Sequence, residues 1–405
     1  MRRLLIALLA CAATGATPAH AQTRLPVDSI RDDRAFTFYG HAPYRAGVPR
    51  PETILGYPVG SWHTQYDRQE RVLLAIAEAA KDRVRVEEIG VTSERRTMRI
   101  YLVSTPENIA RLDAIRADLD RLADPRGATP AQLQAVAART PAVIWFSGSV
   151  HGDEVPGFEA SMQLLYHFAA TEDPATVALL KDAVVVINPS SNPDGHERFA
   201  VWSNSIAVGS PERQAMEQQR GQPWSIAGRY NHYRFDMNRD LMAMTQREVQ
   251  AVVGGMLRWH PMITADLHGY VSTYFMAPAA RPVNANVSGW PFAWAERVGR
   301  GNAAAFDRYG WFYFVRDNYD LYYPGYYDTC PPSPARWARH TRRMEGPRSS
   351  SGGRTVPCSR SATESPSTTP PRSPPSRPEP AARATLCATM RDSVSAPCPR
   401  GAPGR

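Results

Sequence analysis

The chain has 405 residues, 43% hydrophobic and 21% charged, with a formal net charge of +8. This length suits one large folded core with extra segments and excludes a short disulfide-stapled scaffold. The 76 residues from Cys330 hold 13 Arg, no Lys and four acids, which leaves residues 1–329 at about −1 and makes the basic balance poor ground for a nucleic-acid or membrane partner of the folded part.

The N-terminus reads as a signal peptide. Met1-Arg2-Arg3 is a basic start, Leu4 to Ala13 is an apolar run too short to span a bilayer, and Ala19-His20-Ala21 is a small-x-small cleavage site before Gln22. A lipoprotein start through Leu8-Leu9-Ala10-Cys11 would leave a very short apolar region and waste that site. The expected location is therefore secreted or periplasmic, after cleavage near Ala21. No other stretch approaches about twenty apolar residues, so no membrane span is expected. Cys11 leaves with the signal, and Cys330, Cys358, Cys387 and Cys398 all lie near the C-terminus. The fold before them must rely on its core.

Residues 65–83 carry apolar positions at helical spacing, and residues 84–104 alternate like two strands around Ser93-Glu94-Arg95-Arg96. Residues 106–122 return to the helical period. Residues 141–149 form a short apolar run that fits a buried strand, residues 158–170 are helical, and residues 183–188 (AVVVIN) are a second buried strand. Residues 203–228 read as a long polar surface loop with a helical piece. Residues 248–259 are amphipathic, 262–267 strand-like, 290–306 helical, and 311–327 dense in aromatics, as suits a cleft wall or core edge. The fold class is α/β, a mixed, largely parallel sheet flanked by helices, whose ligand sites lie beyond the carboxyl ends of the strands. From Cys330 the chain holds 15 of its 36 prolines and no Ile, Phe or Tyr, so a disordered Pro/Arg/Ser-rich tail is expected.

Chemistry should then sit just after Ser149 and Asn188. The first of these loops reads Val150-His151-Gly152-Asp153-Glu154. Hydrolytic zinc commonly takes two imidazoles, one carboxylate and a water, and Gly152 would allow the sharp turn that brings ligands three apart onto one ion. His-x-x-Glu alone is a weak signal, since a surface His beside an acid is its ordinary reading. The best third ligand is His268, at the end of an apolar run and before Gly269. His196, His232 and His260 are more simply solvated or hydrogen-bonded, and His167 is a packed side chain within a helix. Two further clusters follow in order: Asn192-Pro193-Asp194-Gly195, a good turn sequence, and Asp236-Met237-Asn238-Arg239-Asp240, which could cap a helix.

With these motifs in this order, residues 50–329 resemble the zinc carboxypeptidases of the carboxypeptidase A type. The resemblance implies one Zn2+ ion held by His151, Glu154 and His268, with Asp236 orienting the first histidine. It implies that Asn238 and Arg239 hold the terminal carboxylate of a peptide or protein substrate, a task suited to the guanidinium fork. Arg198 is the candidate for stabilising the oxyanion. The covering tyrosine lies among Tyr319, Tyr322, Tyr323, Tyr326 and Tyr327, with Tyr326 carried forward as the substrate-binding candidate. The implied organisation is a signal peptide (1–21), an N-terminal extension (22–55), a catalytic domain cut short at its C-terminal end (56–329) and the tail (330–405).

The family also needs a general-base glutamate about twenty residues beyond that tyrosine, and no such residue stands in strand context. Glu345 is the only acid close by, in Arg-rich, strand-poor sequence. A slip of reading frame near Thr329 accounts for the gap: Trp337 to Gly346 (WARHTRRMEG) can be encoded so that dropping two letters reads Gly-Lys-Thr-Tyr-Glu-Thr-Asp-Gly-Gly, which resembles the family's strand bearing that glutamate. The leading function is thus a zinc-dependent hydrolase of C-terminal peptide bonds. The alternatives are an acylamino-acid deacylase or cell-wall peptide amidase on the same scaffold, and a catalytically impaired zinc- or peptide-binding protein.

Overall fold

Residues 38–206, 221–269, 275–284, 289–316, 320–327, 329 and 337–342 are described by the computed structural model of the chain. The first half contains α1 (Pro51–Leu55), α2 (Tyr66–Ala79), β1 (Val84–Val91), β2 (Thr97–Val103), α3 (Pro106–Ala110), α4 (Leu112–Ala123) and α5 (Pro130–Arg139). There follow β3 (Ala142–Gly148), α6 (Val155–Ala170), α7 (Pro174–Lys181), β4 (Ala183–Asn188) and α8 (Pro193–Ile206). The remainder supplies α9 (Arg247–Trp259), β5 (Ile263–His268), β6 (Phe275–Met276), β7 (Ala280–Val283) and α10 (Gly289–Tyr309). Last come β8 (Phe314–Val315), β9 (Asp320–Leu321) and β10 (Trp337–Arg342).

Eight strands form one mixed sheet in the order β1-β2-β4-β3-β5-β10-β6-β8. Its centre is parallel: β3 pairs in parallel with both β4 and β5, and β5 with β10. Both faces are covered, which is why β3 and β4 are apolar throughout rather than alternating. Ile144 and Phe146 of β3 pack toward α2, α6 and α7, while Val143 and Trp145 pack toward α4 and α9. Each such side chain contributes about 1.5–3 kcal/mol of transfer free energy on full burial. None of the described helices is long and apolar enough to cross a membrane.

Local chemistry explains where the elements depart from the sequence expectation. The helix expected over 106–122 is divided at Arg111, because Asn108 is drawn into the core, where its Nδ2 donates to Leu180 O (3.2 Å) and Lys181 O (2.9 Å). The short helices α5 and α7 had no strong period to announce them. They begin at a Thr129/Gln132 capping box and at Asp173, whose carboxylate accepts from Thr176 N (2.9 Å). Asn192-Pro193-Asp194-Gly195 opens α8 instead of making a free turn, with Asn192 Oδ1 accepting from Gly195 N (3.0 Å). Residues 38–55, set outside the catalytic domain by sequence, pack into it: Tyr44 bridges Thr171, and Val48 lies in the main core. Within the segment expected to be disordered, residues 337–342 form β10. Pairing along β5 uses backbone donors and acceptors, which an apolar-poor sequence also has. The expected signal peptide, Tyr319, Glu345 and the rest of the tail lie outside the described residues.

Candidate metal centre

Parallel pairing of β3 with β5 sets Ser147 opposite Asp266 and Gly148 opposite Leu267, so two strand ends far apart in sequence open onto one spot. There His151, Glu154 and His268 meet, all buried. Glu154 Oε1 lies 2.9 Å from His151 Nδ1, Oε2 lies 2.6 Å from His268 Nδ1, and the two Nδ1 atoms are 3.2 Å apart. Each ring also donates from its far nitrogen to a carboxylate: His151 Nε2 to Asp236 Oδ1 (3.0 Å) and His268 Nε2 to Asp266 Oδ2 (2.7 Å). That bond orients each ring with its Nδ1 toward Glu154. Two imidazole nitrogens and a carboxylate within 4.8 Å of one another are a donor set that could hold a zinc ion with a fourth position left over. Glu154 also stands at the N-terminus of α6, where a negative charge is favoured.

Burial would raise the Glu154 carboxyl, but the two imidazoles hold it well below the usual carboxylate range. Burial would lower His268, but Asp266 and then Glu154 push it up to about 9. A metal ion would have to displace that proton. Asp236 is likewise held below its ordinary value: burial opposes this, and the hydrogen bond from His151 together with the charges of Arg229 and Arg239 outweighs it.

Of the other expected residues, Asp236 lies against the outer nitrogen of His151. Asn238 is buried, and its Oδ1 accepts from Tyr327 N (2.8 Å). Arg239, three residues beyond Asp236, is exposed; its Nη1 donates to Asn238 O (2.8 Å), and its guanidinium lies 4.6 Å over the Tyr326 ring. Tyr327 is buried, and Tyr323 donates to Arg239 O (3.3 Å). Arg198 is occupied elsewhere, donating to Glu94 Oε1 (2.9 Å) and to the carbonyls of Ile226, Tyr230 and Asn231. The guanidinium at the triad belongs to Arg229, which reaches Glu154 Oε1 (3.4 Å) and Asp236 Oδ2 (2.9 Å). A single Arg in a polar loop carries no local signal, so its position emerges only from the fold. Asp266 was legible in hindsight, since residues two apart on a strand share a face.

Gly152 has a different reason from the turn expected of it. The left-handed residue in this loop is Ser149 (φ 52°). A Cβ on Gly152 would overlap backbone atoms of Gly195, His196 and Gly228, none of which is a flexible side-chain end. Gly152→Ala should therefore cost about 3 kcal/mol or more, as other overpacked sites do at their upper range. A urea melt of the metal-free protein checks this, and an unchanged midpoint would contradict it.

A model of the zinc carboxypeptidase family matches residues 70–284, more than half of the chain. Human carboxypeptidase D is 29% identical over 133 residues, which cover 31% of this chain and 8% of that protein; the mouse protein is 28% identical over the same length and shares. The chain thus matches only a small part of these curated relatives. Among solved structures, a carboxypeptidase A from Helicoverpa armigera aligns with a TM-score of 0.49 at 15% identity, over 74% of this chain and 71% of that one. On the family match across residues 70–284, this chain belongs to the zinc carboxypeptidases.

Proposed function

We propose that this chain is built to hydrolyse C-terminal peptide bonds with one zinc ion held by His151, Glu154 and His268. The observation that carries this reading is the buried triad, each imidazole backed by its own carboxylate, with exposed Arg239 three residues from Asp236. Bound zinc would supply a water of lowered pKa and polarise the scissile carbonyl. Asp236 and Asp266 keep both rings aimed. Arg229, paired with Glu154 and Asp236 beside the triad, supports a reading in which it, rather than Arg198, stabilises negative charge on the carbonyl oxygen. Arg239, packed on Tyr326, receives the substrate's carboxylate, whose charge-assisted contact is worth about 1.5–3 kcal/mol. A peptide with a free end should therefore be cleaved about 10–100-fold faster than its amidated twin. Equal rates in a residue-release assay would move the assignment to an amidase.

Catalysis also needs a general base. The strand beside β5 reads WARHTR, and Arg342 pairs with His268. With codons chosen to give that alternative reading, the glutamate codon would take the last letter of the Thr341 codon and two from Arg342, which would set a carboxylate level with His268. This register supports a frame slip after Thr329. Without one, the same strand favours the second reading, an impaired zinc- or peptide-binding protein. Export with cleavage near Ala21 belongs to the same proposal, and the N-terminal residue of the secreted chain, expected near Gln22, checks it.

A further inference from the structure

The loop between His151 and Glu154 is gripped from behind by a histidine that does not face the triad. His196, in the first turn of α8, is fully buried and stacks on Phe158 of α6, with ring centroids 3.6 Å apart and planes 18° from parallel. Its Nδ1 lies 2.9 Å from the carbonyl oxygen of Gly152, and its Nε2 lies 2.8 Å from that of Thr64. Gly152 stands between two members of the triad. Thr64 closes the N-terminal strap, residues 38–65, which runs ahead of α2.

That strap is itself tied to the helix that follows the loop. Thr64 donates from N to Glu159 Oε1 (2.6 Å) and from Oγ1 to Glu159 Oε2 (2.9 Å), and Glu159 is a buried residue of α6. Asn204 of α8 fastens the neighbouring residue, donating from Nδ2 to His63 O (2.8 Å). The loop, α6, α8 and the strap thus form a closed circuit, and one imidazole ring spans the loop and the strap. Both partners are carbonyl oxygens, which only accept: a neutral ring donates to one of them, and a protonated ring, which burial disfavours, donates to both.

We propose that His196 is a positioning residue for the metal centre: it fixes the Gly152 carbonyl, and hence the turn that brings His151 and Glu154 together, with the Thr64 strap as its anchor. This rests on the reading of His151, Glu154 and His268 as the zinc ligands. The consequence is that the N-terminal strap is a permanent part of the enzyme and that loosening it weakens metal binding from a distance.

The test measures the zinc dissociation constant of the full chain by chelator competition, with the melting temperature of each metal-free protein alongside. His196→Phe keeps the stack on Phe158 and removes both polar contacts. Its zinc dissociation constant should rise about 10–100-fold, the range seen when groups behind metal ligands are lost, and His196→Gln, which retains a donor, should recover part of that. Glu159→Gln leaves the ring and the loop untouched and should weaken zinc roughly threefold or more by loosening the strap. Should His196→Phe fail to fold, His196→Gln and Glu159→Gln decide the question. A lowered melting temperature with zinc affinity unchanged in the folded variants would make His196 merely structural and overturn the proposal. If the wild-type chain itself binds no zinc, the ligand assignment fails first, an outcome distinct from wild-type binding that the variants leave unaltered.

Discussion

A chain read in the alternative frame after Thr329 is expected to release C-terminal residues about 10²–10⁴ times faster than the present one, the usual contribution of a positioned general base. The expectation rests on backbone register. β10 lies parallel to β5, with Thr341 opposite Leu267 and Arg342 opposite His268, so the last two positions of β10 are level with the end of the strand that carries His268. The present strand offers no carboxylate there. In the restored reading a glutamate would stand level with His268, and the proposed reaction needs a group to take a proton from the attacking water and pass it to the leaving amine. The measurement is kcat/KM on one peptide series for both proteins, each loaded with zinc. Changing the restored glutamate to Gln should return the rate to that of the present chain. If the two frames work equally fast, another group acts as the base and the frame argument is lost.

Removal of the third member of the triad should be as plain. His268→Ala is expected to weaken zinc by about 10²–10³, because a total of roughly 10–16 kcal/mol for a structural site, divided among its ligands, leaves about 3–4 kcal/mol for each. The same change leaves Glu154 and Asp266 buried without the imidazole that both contact, so the metal-free protein should also melt earlier. Unfolding curves and metal affinity therefore need to be measured on the same samples. Unchanged affinity would remove His268 from the ligand set, and with it the single-ion reading.

The order of strands and helices was largely legible in the sequence, because period and apolar run length are local properties. AVVVIN had to be a strand buried on both faces, and the loop after Ser149 had to lie at a strand's carboxyl end. The three residues now found together could be singled out because each sits where an apolar strand stops and a glycine is near. The family resemblance rested on the same short motifs, and the family match agrees with it.

Contacts between distant segments were beyond sequence. Arg198 and Arg229 are equivalent as letters in polar surroundings; only the fold commits the first to Glu94 and three carbonyls and brings the second to Glu154. Gly152 was chosen for its backbone freedom, yet what demands it is the close approach of Gly195, His196 and Gly228. His196, set aside as a solvated or hydrogen-bonded histidine, proves fully buried between Gly152 and Thr64. Sequence by itself determined the elements and the chemistry available at their ends, since both depend on neighbours along the chain. Tertiary structure alone decided which charged groups share a site and which backbone atoms touch, since those depend on the parallel pairing of β3 with β5 and on strands and helices more than a hundred residues apart.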